Sequence, residues 1–301
     1  MLLRNLISKG TETISQAFPE REAREMVLVF LQYSIGTSRH THILEPSYEV
    51  PDGACAEAMS AFRRMASGEP IQYIIGKAFF YDREFNVTPS VLIPRPETEL
   101  LVREALDWAR LSGSKSMRIA DLCTGSGCIA WSMALELPGA EVTAVDISED
   151  ALVVASGQKF DEVGGVDGMG GVVAPKFIKA DVLATPPDGL GTFDMILSNP
   201  PYVMESEKAL MRKNVLDHEP WLALFVSDDD PLVFYRAVAV WAKQLLKPDG
   251  IGIVEINEAL GPETAAVFSQ AGFADTSVIC DLSDRPRFVR FSRQRYWKDE
   301  R

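Results

Sequence analysis

Two short segments of this 301-residue chain hold residue types suited to chemistry. The first, Asn199-Pro200-Pro201-Tyr202, follows the apolar run Phe193 to Ser198. Each of the two prolines keeps the residue before it out of helical backbone, so the tip of a strand is stiffened there. The Asn199 amide oxygen and the Pro200 carbonyl can both accept hydrogen bonds, and a substrate NH2 group has two to give. Tyr202 offers a ring to lie against a flat conjugated group. An amide nitrogen is a poor nucleophile because its lone pair is delocalised into the carbonyl. Accepting both its hydrogens favours density on nitrogen, and holding it in line with an electrophile supplies about 7 to 11 kcal/mol of a barrier. The plainer alternative is a Pro-rich turn that merely ends a strand.

The second segment is Ile119-Ala120-Asp121-Leu122-Cys123-Thr124-Gly125-Ser126-Gly127-Cys128-Ile129-Ala130, an apolar strand entering a G-x-G-x-x-A turn that opens a helix. This is a nucleotide-cofactor fingerprint, shared with dinucleotide enzymes. Gly125 and Gly127 remove the Cβ atoms that would hold a ligand off the backbone. Asp121 ends the first strand, where a carboxylate would reach a cationic ligand such as the amino-acid end of S-adenosylmethionine and would repel a pyrophosphate. Asp146 ends the second strand and is placed to accept from both ribose hydroxyls. Asp181, just past the third, is placed for an adenine amino group. Any one of these acids alone reads equally well as a solvated loop carboxylate. Their shared position at strand ends, where open α/β sheets bind ligands, singles out the set.

These residues need a scaffold, and the hydrophobic pattern supplies one. Alternation from about residue 97 predicts helices over 97–109, 128–137, 149–163, 232–246 and 262–271, and strands over 117–122, 141–146, 176–180, 193–198, 250–256, 274–280 and 287–291. That order implies an α/β domain whose parallel sheet carries helices on both faces. Residues 1 to about 70 read as helical, with Met26, Val27, Phe30 and Leu31 at helical spacing. Two β-rich runs, 72–81 and 84–87, read as a hairpin joined around Asp82-Arg83. The Gly-rich stretch 164–171 reads as a flexible surface connection.

Composition narrows the class. At 47% hydrophobic and 24% charged the chain is of globular type with room for two domains. No apolar run approaches the ~18 to 20 residues of a membrane span, and no signal peptide is apparent. Glu12, Glu20, Glu22 and Glu25 are unlike an acid-poor transit peptide, so a bacterial-type cytoplasm is expected. A net charge of -13 disfavours a phosphate backbone as partner. Cys55, Cys123, Cys128 and Cys280 form no CxxC pair, and His40, His42 and His218 have no zinc-ligand spacing; no metal is expected.

Beyond these segments the chain contains Gly68-Glu69-Pro70-Ile71-Gln72-Tyr73-Ile74-Ile75-Gly76, Val91-Leu92-Ile93-Pro94-Arg95-Pro96-Glu97-Thr98-Glu99, His218-Glu219-Pro220, and Leu245-Leu246-Lys247-Pro248-Asp249-Gly250 leading to Glu255-Ile256-Asn257. With the Asn-Pro-Pro-Tyr and Asp-Leu-Cys-Thr-Gly-Ser-Gly strings, these make the whole chain resemble the peptide chain release factor glutamine methyltransferases, the HemK/PrmC family. The resemblance implies a class I S-adenosylmethionine-dependent methyltransferase fold, Rossmann-like, with a mostly parallel seven-stranded sheet and a small N-terminal helical domain. The implied division is 1–70 for substrate recognition, 71–96 as a hairpin linker and 97–301 as the methyltransferase domain. It implies S-adenosylmethionine as cofactor, contacted by Cys123, Thr124, Gly125, Ser126 and Gly127, with Asp146, Ile147, Val182 and Asn199. The implied substrate is the Gly-Gly-Gln glutamine of class-1 release factors, held by Asn199, Pro200, Pro201 and Tyr202. Cys123 and Asn257 stand where the family more often has glycine, and the stretch 164–171 is longer than expected.

Pro96 followed by Glu97 and Glu99 is ordinary helix-entry chemistry, whereas Arg95, fixed between prolines, is expected to line the substrate channel. A nucleic-acid N-methyltransferase would use the same Asn-Pro-Pro-Tyr chemistry on a flipped base, but the chain has no basic, aromatic-interleaved segment. A non-catalytic cofactor-binding partner of the translation machinery would have no need for an amide-aiming turn. A monomeric enzyme without direct nucleic-acid or membrane binding is expected.

Overall fold

The computed structural model describes residues 1–114, 116–161 and 171–294. Residues 164–170 of the connection predicted over 164–171, and the last residues of the helix predicted over 149–163, lie outside them. The chain divides into two compact units, Met1–Lys77 with Met211–Glu219, and Ala78–Leu210 with Pro220–Arg301.

The first unit is helical: α1 (Leu3–Ile14), α2 (Glu20–Ile35), α3 (Thr41–Leu44), α4 (Asp52–Ala66) and α5 (Ile71–Ile75). Its core gathers Leu6, Ile14, Val27, Leu31 and Phe62, all essentially removed from water, each such burial being worth roughly 1.5 to 3 kcal/mol. One expectation fails here. The β-branched and aromatic residues of the run 72–75 predict strand, yet the run is helix α5, begun after Pro70 and closed by Gly76 in the left-handed conformation.

The second unit opens with the hairpin β1 (Lys77–Phe80) and β2 (Arg83–Asn86). Its turn falls on Tyr81 and Asp82, both with positive φ, the geometry of a two-residue turn matching strand twist. Phe80 and Phe85 sink into the same core as the next two helices. There follow α6 (Thr98–Ser112), β3 (Arg118–Leu122), α7 (Cys128–Glu136), β4 (Glu141–Asp146), α8 (Glu149–Ser156), β5 (Lys176–Lys179), β6 (Phe193–Ser198) and β7 (Val203–Met204). After a 3-10 segment, Glu205–Leu210, come α9 (Lys213–His218) of the first unit, α10 (Trp221–Leu224), β8 (Phe225–Val226), α11 (Val233–Leu245), β9 (Leu246–Glu255), α12 (Gly261–Gln270), β10 (Asp275–Cys280) and β11 (Pro286–Ser292). Short elements β7, α9, α10 and β8 carry no periodicity long enough to be seen in sequence.

Seven strands form one sheet in the order β10-β11-β9-β6-β3-β4-β5. The pairs from β9 to β5 are parallel, and β11 runs antiparallel to both β9 and β10. This is the mostly parallel seven-stranded sheet of the class I methyltransferase fold. Alternate strand residues feed two layers. Ile119, Met195, Leu197 and Ile253 face the layer that holds α6 and α7, while Ala120, Ile196, Val254 and Phe291 face the layer with α11 and α12. At the amino end of the sheet the Asp194 carboxylate accepts from Lys247 Nζ (2.8 Å) and from the Arg118 amide (2.8 Å). Strand order reverses at β3, since β4 and β5 lie on one side and β6 and β9 on the other. The crevice beyond the carboxyl ends of β3 and β6 is therefore the switch point at which such sheets bind ligands.

Candidate functional site

The loops after β3 and β6 emerge side by side at that switch point. Asp121 pairs in register with Leu197 and Leu122 with Ser198, and the Ser198 hydroxyl donates to the Leu122 carbonyl (2.8 Å). Residues 123–127 and 199–202 thus start from strand tips fastened to each other. A cavity of about 490 Å³ lies against them, lined by residues of the second unit alone.

The first loop is shaped by backbone demands. Cys123, Gly125 and Gly127 all have positive φ. A Cβ built on Gly125 would meet nothing within 4 Å, so glycine there keeps the cavity floor open. Gly127 answers a different need, because its Cβ would come within 3.1 Å of Ala155 and of Trp131; it lets the start of α7 pack closely. The Gly125 amide donates to Asp146 Oδ2 (2.8 Å) and the Ser148 amide to Asp146 Oδ1 (2.9 Å). Each carboxylate oxygen keeps a further lone pair for an incoming donor. Burial pushes the Asp146 carboxyl above its ordinary range, against these amides.

Cys123, Thr124, Gly125, Ser126, Asp146, Ile147, Asp181, Val182, Asn199, Pro201 and Arg95 line the cavity, so most of the expected site residues come together. Four do not reach its wall. Gly127 packs behind it, and Pro200 is the buried residue between Asn199 and Pro201. Asp121, expected to touch a cationic ligand, is 0% exposed. Its Oδ2 accepts from the Thr124 hydroxyl (2.6 Å) and the Ala130 amide (3.1 Å), while Oδ1 has no protein partner. Burial lifts its pKa to about 7. Any influence on a ligand is therefore exerted from below the loop, through its charge. Tyr202, expected to lie against a substrate, packs among the residues of the β9 and α11 layer. Its hydroxyl donates to Glu255 Oε1 (3.0 Å).

Other wall residues are not singled out by sequence reasoning. Trp221 and Leu222, 52% and 55% exposed, present apolar surface to the cavity, beside Ile147 at 44%. Lys208 stands 3.5 Å over the Trp221 ring, a cation–π contact that holds the indole in place. Thr98 also lines the wall. Its signal is present in the Arg-Pro-Glu-Thr-Glu string, where sequence reasoning gives a site role to Arg95 alone.

The charges favour a cation. The charged lining residues are Asp146, Asp150 and Asp181 against Arg95, a balance that repels phosphates. Three observations fit S-adenosylmethionine: the open floor at Gly125, the paired Asp146 oxygens, and the unpartnered buried Asp121 oxygen near the loop. Among the described residues no group of His, Cys, Asp and Glu side chains is arranged to hold a metal ion, and no helix is long and apolar enough to cross a membrane.

Comparison with known proteins identifies related chains. Residues 98–218 match the family described as Methyltransferase small domain and residues 5–76 the one described as PrmC N-terminal domain. The release factor glutamine methyltransferase of Flavobacterium psychrophilum is 35% identical over 96% of this chain and 99% of its own length. That of Bacteroides thetaiotaomicron is 43% identical over 76% of this chain and 78% of its own. Among solved structures, the hMettl16 catalytic domain superposes with a TM-score of 0.50 at 15% identity, covering 84% of this chain and 86% of that one, a likeness of fold alone. By its similarity over nearly its full length, this chain belongs to the release factor glutamine methyltransferase family.

Proposed function

We propose that this chain methylates the side-chain amide nitrogen of the glutamine in the Gly-Gly-Gln motif of class-1 release factors. The observation that carries the reading is the meeting of Asn199 with the Gly125 and Asp146 loop on one acidic cavity. When bound there, S-adenosylmethionine supplies an electrophilic methyl group. Asp146 would accept from its ribose hydroxyls, the 123–127 loop would hold its amino-acid end, and Asp181 and Val182 would border its adenine.

Asn199 Oδ1, on the cavity wall, would accept one amide hydrogen of the glutamine and help aim the nitrogen lone pair at the methyl carbon, whereas the Pro200 carbonyl, expected to take the other, belongs to a residue that does not line the wall. The nitrogen would take the methyl group as its bond to sulfur breaks and would then release one proton to solvent. Arg95, Trp221 and Leu222 form the wall along which the substrate loop enters. The helical unit, Met1–Lys77 with Met211–Glu219, is proposed to recognise the body of the release factor. The negative net charge and acidic lining favour a protein over a nucleic acid as substrate.

The test is mass spectrometry of a release-factor digest after incubation with the protein and S-adenosylmethionine. One added methyl on the Gly-Gly-Gln glutamine is expected. Methyl incorporation into RNA or DNA with none into the release factor would overturn the reading.

A further inference from the structure

Behind the cavity wall lies a chain of three hydrogen bonds that the reaction described above does not use. Glu255, the last residue of β9, is 3% exposed, and both its oxygens are occupied by hydroxyls. Thr98 Oγ1 donates to Oε2 at 2.6 Å and the Tyr202 hydroxyl to Oε1 at 3.0 Å. Thr98, the first residue of α6, meets the Asn199 side-chain nitrogen at 3.1 Å.

The protons in this chain have one consistent direction. Ionised Glu255 only accepts, so in that form the single proton of Thr98 is committed to it. Thr98 Oγ1 can then only accept, and the end of the Asn199 amide that faces it must be the NH2. The two ends of an asparagine amide are nearly alike in shape, and what separates them is the hydrogen-bond network around them. Here that network leaves Oδ1, the acceptor, for the substrate.

We infer that Thr98 and Glu255 are specificity-determining positioning residues. They hold the Asn199 amide with its oxygen toward the cavity, so that the site takes a side-chain NH2 and rejects a carboxylate of the same shape. The inference rests on the glutamine-amide function proposed above. A glutamate in place of the glutamine would set oxygen against oxygen at Asn199, with no donor between them. Without the Thr98 hydroxyl, the Asn199 amide could turn and donate, and that rejection would weaken. Tyr202 belongs to the same arrangement, since its hydroxyl fills the second Glu255 oxygen and keeps the carboxylate from rotating toward it.

The experiment uses the full-length protein with S-adenosylhomocysteine, and two release factors, one with its natural Gly-Gly-Gln and one with that glutamine changed to glutamate. The wild-type protein is expected to bind the glutamate form at least about tenfold more weakly. Thr98→Val, which keeps the shape and removes the hydroxyl, is expected to lower kcat at least about tenfold with S-adenosylmethionine affinity unchanged, and to narrow the gap between the two release factors. Thr98→Ser restores both. Glu255→Gln, which keeps the shape and removes the charge, carries the same expectation as Thr98→Val and serves in its place should that variant not fold. Equal wild-type affinity for the two release factors overturns the inference without any variant, as does a Thr98→Val protein with wild-type kcat and selectivity. A wild-type protein that methylates no release factor is a different outcome, which removes the proposed function itself.

Discussion

The Gly125 amide lies 2.8 Å from Asp146 Oδ2, so the residue that opens the cavity floor is held by the residue placed to receive the ribose. Asp146 therefore shapes the glycine loop and, in the proposed binding mode, would also accept from the ligand. Hydrogen bonds to a charged acceptor contribute roughly 1.5 to 3 kcal/mol each. Asp146→Ala is expected to weaken S-adenosylmethionine binding at least about 100-fold by isothermal titration calorimetry. Retained affinity would show that the cofactor is held elsewhere.

The two loop glycines should separate in experiment, because one meets empty space and the other meets its neighbours. Gly125→Ala adds a methyl into the open cavity at positive φ, costing about 1 kcal/mol of backbone strain and most of the cofactor affinity. Gly127→Ala would press on Ala155 and Trp131 at 3.1 Å, costing about 2 to 4 kcal/mol in strain and overpacking. Thermal melts and cofactor titration of both variants check the split. It fails if Gly125→Ala is the less stable of the two.

How far the sequence shows this site depends on the distance over which each feature is determined. The β3–loop–α7 turn and the stiff strand tip at Asn199 are local, set by an apolar run meeting glycine or proline, and they stand where the pattern puts them. The run 72–75 misleads because its β-branched residues favour strand while Pro70 and Gly76 enclose a single helical turn. The helix predicted to continue past Ser156 stops there, at Gly157. Thr98 and Glu255 are 157 positions apart, and no periodicity couples them. Tyr202 stands out in the sequence, but only its bond to Glu255 shows that it faces the core. Trp221 and Leu222 look like ordinary core residues until the fold exposes them.

Asp121 ties stability to pH. Its pKa stands at about 7 in the folded chain against an ordinary 3.8, so the folded state holds that proton more tightly than the unfolded one. Its stabilising contribution is complete below about pH 3.8 and is lost as the pH rises through about 7, a change on the order of 4 kcal/mol. Asp121→Asn keeps an acceptor for Thr124 and Ala130 and removes the ionisation. Its melting temperature at pH 8 is expected to exceed wild type, and S-adenosylmethionine affinity to fall with the lost charge. A wild-type slope across pH 4 to 7 in the variant would assign the effect to another group.

Glu255 should appear in the rate. Burial pushes its carboxyl upward, Glu97 adds repulsion, and the Thr98 and Tyr202 hydroxyls and the more distant Arg287 oppose the rise; Tyr235 and Cys128 also feel its charge. Protonation would let Glu255 donate to Thr98 and so release the hold on the Asn199 amide, which makes the ionised form the active one. The kcat profile is expected to fall on its acid side with a midpoint above the ordinary 4.5 of a glutamate. Glu255→Gln should lack that limb, and an identical limb in the variant would place the titrating group elsewhere.

Asn257 ties together the segment that follows the strand tip. Its Nδ2 donates to the Tyr202 carbonyl (3.2 Å) and to Glu207 Oε2 (2.8 Å), and its Oδ1 accepts from the Ala259 amide (2.9 Å). Glu207 Oε2 also accepts from the Met204 amide (2.8 Å), so the chain just beyond Pro201 is clipped at two points. Asn257 has φ near -64°, a conformation that makes no demand for glycine, and the side chain therefore adds the clip without backbone strain. Asn257→Gly is expected to cost about 1 to 3 kcal/mol of stability through the half-buried partners left unmet and the freed backbone. It should lower kcat more than it raises the KM for S-adenosylmethionine, because Asp146 and the glycine loop are untouched. Urea unfolding and initial rates measure the two effects, and a variant as stable and as fast as wild type would show that the 202–207 segment is held without the clip.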